Sequence, residues 1–401
     1  MWNSAGASVY LMCQWLITIF AVRLSDGYTD AGDLALAISI TNIFFCIAAY
    51  NMRTYQVSDI HAEYSSSVYF SSRIVTCLFS VILCIVFIIF AGYSNFQQLV
   101  IVGYMLYRAN EAFIEIFHGI LQKSWRMDYI GISFILRGIL ILLAFVVLEL
   151  TFGLLTAVIG MFLSTFLVCI FFDLTNAKKM ENFSLEFKWS SIWSLLKTCF
   201  PLMAVNLINI FILSYSRYSI EKIYNTELLG IYASVATPAV IIQAVSVMIF
   251  YPLINVFSSY LKERNMVKFI LVFSICGAFI FGLTLISFLG AHVLGEWGLS
   301  FLFGSSIKPY VYLFPGAVIC AGMTVFVWYM NMILSICRDI RGIFIGNSIG
   351  LIICLFMTNV LLIKYGLLGA NYILIISNGI TVIYLIIRFF YSCKSKYFSV
   401  E

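Results

Sequence analysis

The chain has 401 residues, a formal net charge of +5, 63% hydrophobic and only 10% charged residues, and a mean hydropathy of +1.03. A soluble domain of that composition would expose large apolar patches to water, so a soluble enzyme and a nucleic-acid-binding module are both excluded, and a lipid bilayer is the expected solvent. A helical crossing takes about 20 apolar residues, and runs of that size recur along the whole chain.

Twelve spans are predicted, near 3–22, 33–52, 69–91, 97–119, 129–149, 153–172, 197–217, 229–254, 267–291, 309–336, 343–363 and 369–390. The first run has no Lys or Arg before it, and its small residues Ala5, Gly6 and Ala7 lie at its start, so it reads as a retained helix and not as a cleaved signal. Basic residues are strongly biased to alternate connections. Arg53 and Arg73, Lys123 and Arg126, Lys178, Lys179, Lys188 and Lys197, Lys262, Arg264 and Lys268, Arg338 and Arg341, and Arg388, Lys394 and Lys396 fall on one side. Only Arg23, Arg217, Lys222, Lys308 and Lys364 fall on the other, which predicts a multi-pass protein with both termini in the cytoplasm.

Two halves are expected, a six-helix bundle over 1–196 and a second over 197–401. Three segment pairs suggest a parallel repeat. Arg23 and Asp33 are matched by Arg217 and Glu227 at the same spacing, Phe152–Gly153–Leu154 by Tyr365–Gly366–Leu367, and Gly131–Ile132–Ser133 by Gly346–Asn347–Ser348. The offsets relate span 1 to 7, 5 to 11 and 6 to 12, as two parallel-related bundles around a central cavity require.

Charges inside spans are the candidates for function. Arg108, Glu111 and Glu115 share one face of span 4 at i, i+3 and i+7, with His118 one turn further, and Arg137 lies in span 5. Internal pairing of Arg108 with one glutamate is expected, which leaves the other for Arg137 or for an ion. This set is therefore either a structural ion pair or an ion-coupling site. Arg53 reads as an anchor from composition alone, whereas Arg23 and Arg217 stand where basic residues are scarce and could bind an anion such as phosphate. Asn206 and Asn209 in span 7 could hydrogen-bond sugar hydroxyls or glue helices. Pro201, Pro238, Pro252 and Pro315 are placed to kink spans 7, 8 and 10. Eleven cysteines without CxxC spacing and three scattered histidines, His61, His118 and His292, predict neither a metal site nor disulfides, and no phosphate-binding or nucleophile motif is present. No cofactor is expected.

The run Arg53–Thr54–Tyr55–Gln56–Val57–Ser58–Asp59, the stretch from Ser216–Arg217–Tyr218 through Leu229–Gly230–Ile231–Tyr232 to Pro238, and Gly366 to Ala370 resemble the Wzx-type O-antigen flippases of the multidrug, oligosaccharidyl-lipid and polysaccharide exporter superfamily. The resemblance implies an all-α membrane transporter that moves an undecaprenyl-diphosphate-linked oligosaccharide across a bacterial inner membrane by alternating access. It assigns the diphosphate to Arg53, Arg23 and Arg217, and ion coupling to Glu111 and Glu115. Its implied partners are the lipid-linked oligosaccharide, the bilayer and other O-antigen assembly proteins such as the polymerase and chain-length regulator. A drug or metabolite antiporter of the same superfamily, or a membrane polymerase or acyltransferase, are the alternatives.

Overall fold

The computed structural model describes residues 2–25, 27–59, 63–263 and 265–397, with side chains described at all of these except 247–252, 255 and 392–397. His61 and Arg264 therefore lie outside the described residues, and Pro252, Cys393, Lys394 and Lys396 are described by backbone alone.

The described regular structure is helical. The order is α1 (Trp2–Arg23), α2 (Thr29–Ala49), α3 (Met52–Ser58), α4 (Ser66–Ala91), α5 (Asn95–Lys123), α6 (Met127–Phe152), α7 (Leu154–Val168), α8 (Thr175–Met180), α9 (Trp189–Ile223), α10 (Thr226–Ala236), α11 (Val240–Lys262), α12 (Met266–Phe303), α13 (Phe314–Ile336), α14 (Ile340–Tyr365) and α15 (Leu368–Tyr397). A bilayer offers no water to unpaired N–H and C=O groups, so internally bonded helices are what this composition can build. Among the described residues, eleven helical segments are long and apolar enough to cross a membrane. Helix α5 is the twelfth crossing. Its 29 residues rise roughly 43 Å, but Arg108, Glu111 and Glu115 place it below the apolar threshold. The chain is a multi-pass membrane protein, with twelve long helical crossings among the described residues.

It divides into two compact units, Met1–Ile210 and Phe211–Glu401. The division lies inside α9, beyond the 196/197 boundary expected from the sequence. The reason is local: Ile192, Leu195 and Cys199 of the first turns of α9 are buried in a unit 1 core with Met52, Val68, Tyr69 and Ile116.

Within unit 1 the closest packing is of α1 on α6. Gly6 and Gly131 let the two backbones touch: a Cβ on Gly6 would stand 2.3 Å from the Gly131 carbonyl oxygen, and one on Gly131 would stand 2.4 Å from that of Trp2. Gly346, the sequence counterpart of Gly131, instead packs on Tyr384 and Leu385 of α15. That pair is alike in composition but not in the contact it makes.

The repeat is clearest in the turns. Positive φ occurs at Gly92, Trp125 and Gly153 in unit 1 and at Gly304, Arg338 and Gly366 in unit 2, while Gly27, Tyr50 and Asn51 of unit 1 have positive φ without a counterpart among the described residues of unit 2. Each residue of the second set follows its counterpart by 212 or 213 residues, and the three pairs join corresponding spans: 3 to 4, 4 to 5 and 5 to 6 in one unit, 9 to 10, 10 to 11 and 11 to 12 in the other.

Of the prolines, Pro201 is inside α9 and Pro238 is in a 3₁₀ turn between α10 and α11. Pro315 does not kink span 10. It occupies the first turn of α13, where its fixed φ suits the start of a helix.

Gly153 (φ +83°, ψ −179°) and Gly366 (φ +63°, ψ −146°) hold backbone angles that side chains other than hydrogen reach only under strain. Gly153→Ala and Gly366→Ala should each cost about 1–3 kcal/mol, seen as a lowered Tm of the detergent-purified protein. Alanine variants as stable as the parent would mean these turns do not set the α6–α7 and α14–α15 hairpins.

Candidate functional site

Helix α5 runs through unit 1 against α2, α4 and α7, and its polar face collects one side chain after another from its neighbours. Glu111 receives two donors, the Arg137 guanidinium of α6 through Nη1 to Oε1, and the Tyr10 hydroxyl of α1 to Oε2 at 2.6 Å. Because the Tyr10 proton is committed to that carboxylate, the Tyr107 hydroxyl 2.6 Å away must donate to Tyr10, and the Gln14 amide in turn donates to Tyr107 at 3.0 Å. The result is a directional chain from Gln14 through Tyr107 and Tyr10 to Glu111. Arg137 is 2% exposed and stands near the Tyr10 and Phe134 rings, at 5.1 and 5.0 Å, so aromatic faces cover what the carboxylate does not.

One turn along α5, Glu115 faces Arg73 of α4, with Nη2 and Oε2 3.7 Å apart. Arg73 was expected in a cytoplasmic connection, and this expectation is corrected: it lies two turns inside α4 and is fully buried. Its Nη1 donates at 2.6 Å to the Ala48 carbonyl, which also receives the Thr76 hydroxyl at 2.9 Å. Ala48 is at the C-terminal end of α2, where carbonyls lack helical partners and a cation is favoured. That buried sink holds the arginine inside.

Arg108 also departs from expectation. Among the described residues it forms no ion pair with Glu111 or Glu115, and its guanidinium carbon lies 3.8 Å over the Phe45 ring of α2. Both glutamates are held by arginines of other helices, so among the described residues Arg108 is a half-buried membrane cation with no ion-pair partner.

Further along, His118 Nε2 lies 3.2 Å from Ser133 Oγ and 3.3 Å from Asp173 Oδ1, all three buried. Asp173 is in the π-helical stretch Cys169–Leu174 that follows α7. A hydrolytic relay needs the carboxylate on one ring nitrogen and the serine on the other. Here both meet the same nitrogen, so the trio ties α5, α6 and the π stretch together without forming such a relay.

The remaining candidates are scattered. Arg53, in α3, donates to Gln122 Oε1 at 3.0 Å, beside the C-terminal end of α5. The following Asp59 accepts the Glu63 and Tyr64 N–H groups and the Tyr69 hydroxyl. Burial pushes its carboxyl up, but those donors and Lys123 outweigh it and hold the group below its ordinary value. Arg23 ends α1 and is exposed. Thirteen residues of α1 separate it from Tyr10, and eleven of α5 separate Glu111 from Gln122, so at 1.5 Å per residue Arg23 and Arg53 stand about 35 Å apart along unit 1. They do not share a site. Asn206 is exposed, and Asn209 donates to the Val205 carbonyl of its own helix at 2.9 Å.

In unit 2 amides do the joining. Tyr232 donates to Asn371 Oδ1 at 2.9 Å, Asn371 donates to the Leu313 carbonyl at 2.9 Å, Asn378 donates to Thr324 at 3.1 Å, and Asn331 and Asn347 bond each other. Arg217 of α9 is half-buried near Tyr232, with no ion pair among the described residues. The same limits apply to metals: among the described residues no cluster of three or more His, Cys, Asp or Glu forms.

The fold is shared with solved membrane transporters and a flippase. The chain is similar to the Vibrio cholerae MATE transporter VcmN in its bent form (TM-score 0.63, 12% identity, 98% of this chain and 96% of that one). It is similar also to the eukaryotic MATE transporter AtDTX14 (TM-score 0.68, 12% identity, 100% and 97%). The lipid II flippase MurJ in an inward closed conformation matches with TM-score 0.68 and 15% identity over 96% of this chain and 87% of that one. No protein-family model matches the chain, and no curated protein sequence matches it.

Breaking a buried pair by removing one partner strands a charge at a cost of about 3–5 kcal/mol. Glu111→Gln and Arg137→Gln should each destabilise by that order, and the double variant by clearly less than their sum, in a double-mutant cycle of unfolding in detergent. Strictly additive losses would show that the two side chains are not energetically coupled.

Proposed function

We propose that the chain is a flippase that carries an undecaprenyl-diphosphate-linked O-antigen repeat unit from the cytoplasmic to the periplasmic leaflet of a bacterial inner membrane. The observation that carries this reading is the state of its membrane arginines. Arg73, Arg137 and Arg388 are matched to Glu115, Glu111 and Asp339, while Arg108 and Arg217 have no carboxylate among the described residues. A guanidinium kept in a membrane without an anion is costly unless an anion visits it, and a diphosphate suits its planar donor fork. The fold shared with a lipid II flippase supports a lipid-linked substrate of the same chemical kind. The polyprenyl tail can stay in lipid while the charged head and its sugars cross in a polar path, so no covalent chemistry is needed.

A drug or metabolite antiporter is the second reading, favoured by the likeness to two MATE transporters. A cationic drug would call for an available carboxylate. Within the α5 cluster Glu111 is engaged by Arg137 and Tyr10 and Glu115 faces Arg73, so neither of these two carboxylates is left for a cation.

In a bacterial strain lacking its O-antigen flippase but holding the matching glycan assembly genes, this chain should restore surface polysaccharide. Arg108→Ala or Arg217→Ala should lower that export about 10- to 100-fold, the loss of one charge-assisted contact of about 1.5–3 kcal/mol, with Lys at either position recovering part of it. Accumulation of lipid-linked repeat units despite full membrane expression would reject the flippase reading. Undiminished export by both alanine variants would remove these arginines from the path.

A further inference from the structure

We propose that unit 1 binds a partly hydrated divalent cation of the calcium or magnesium type in a cavity at the end that carries Arg23. The cavity measures about 320 Å³ and is lined by Leu24, Ser25, Thr29, Asp30, Glu149 and Gly153. It lies where the turn between α1 and α2 faces the turn between α6 and α7. This inference is independent of which substrate the protein moves, and it uses none of the charges of the α5 cluster.

Three observations carry it. The first is Glu149, which is only 7% exposed and whose Oε2 is buried without a hydrogen-bond partner. A carboxylate oxygen left so in a folded protein calls for an ion, a water or a proton beside it. The second is the lining itself, because Asp30 adds a second carboxylate and Thr29 adds a hydroxyl. The Ser25 hydroxyl spends its proton on the Ala21 carbonyl at 2.6 Å, so its oxygen lone pairs remain for a cation. These are hard oxygen donors, the kind calcium and magnesium take. The third is size. The volume far exceeds a bare ion and leaves room for the waters that complete a shell when the protein supplies only a few ligands.

The surrounding charges do not reverse the sign. The carbonyl ends of α1 and α6 and the amino ends of α2 and α7 meet here, so their dipoles oppose one another. Arg23, the basic residue of this end of α1, is exposed to solvent and screened. Two carboxylates facing one cavity therefore decide the field. A cation between them would clamp the α1–α2 turn to the α6–α7 turn, and the left-handed Gly153 keeps a side chain out of that gap.

The test is thermal unfolding of the full-length protein in detergent, stripped with EDTA and then titrated with CaCl2 or MgCl2 at ionic strength held constant with choline chloride. The expected result is a saturating rise in Tm with a half-point on the order of 10⁻⁴–10⁻³ M, as for weak extracellular calcium sites. That rise should vanish in Glu149→Gln and move at least tenfold to higher concentration in Asp30→Asn. The half-exposed Asp30 keeps the test usable should the Glu149 variant fold poorly. An equal rise in the parent and both variants would place the ion elsewhere and overturn the site. So would no divalent response together with a parent Tm that rises on acidification and a flat Glu149→Gln profile, since the buried oxygen would then hold a proton.

Discussion

Helix α5 brings three ionisable side chains to membrane depth, and an isolated charge there costs several kcal/mol even after relaxation. Much of unit 1 can be traced to meeting that cost. Helix α6 supplies Arg137, α1 supplies Tyr10 and Gln14, α4 supplies Arg73, and α2 offers the Phe45 face and the free carbonyl of Ala48. The glycines that let α1 and α6 touch belong to the same solution. Tyr10 and Arg137 reach one carboxylate from two helices, and Gly138 of α6 presents no side chain to Tyr10, to which a Cβ would come within 3.1 Å.

Unit 2 uses different chemistry for the same problem of joining helices in lipid. Most of its joints are neutral amides and hydroxyls, Asn371, Asn378, Asn331 and Asn347, which glue helices without the desolvation cost of charge, and the Arg388–Asp339 ion pair stands beside them. Against that background Arg217 stands out more than it would in unit 1. The turns repeat at a near-constant offset, but the polar interiors do not. Backbone reversal is therefore what the two halves share, and side-chain chemistry is where they differ.

The crossings were legible because a bilayer imposes a length and a composition on each one. The charged face of α5 was legible for the same reason in reverse, since Arg108, Glu111 and Glu115 break an apolar run at helical spacing. Partners were not legible. Glu111 meets Tyr10 and Tyr107 meets Gln14 from about a hundred residues away, and both tyrosines carry hydrogen bonds that no local pattern announces. Arg73 was grouped with the cytoplasmic connections by the bias of basic residues alone, although the predicted span 69–91 contains it. In the structure Ser65 caps α4, while Ser67 and Ser71 accept N–H groups of Ser184 and Glu186. A polar helical face of Ser, Arg and Thr at 71, 72, 73 and 76 was the signal available. Glu149 gave no such signal, because an acidic residue near the end of an apolar run is ordinary until the opposing turn is seen.

The pairing in unit 1 also constrains how any transport cycle could use it. A proton or ion that displaced Arg137 from Glu111 would have to satisfy Tyr10 and leave the arginine an alternative anion, because both groups are buried where water cannot substitute. Arg108 has no such obligation. It rests on an aromatic face worth about 0.5–2 kcal/mol, less than a charge-assisted phosphate contact, so it can exchange its partner without breaking the helix contacts around it. A structural pair and a substrate contact can therefore share one helix, three residues apart, and the difference between them is set by whether a neighbouring helix has already supplied the counter-charge.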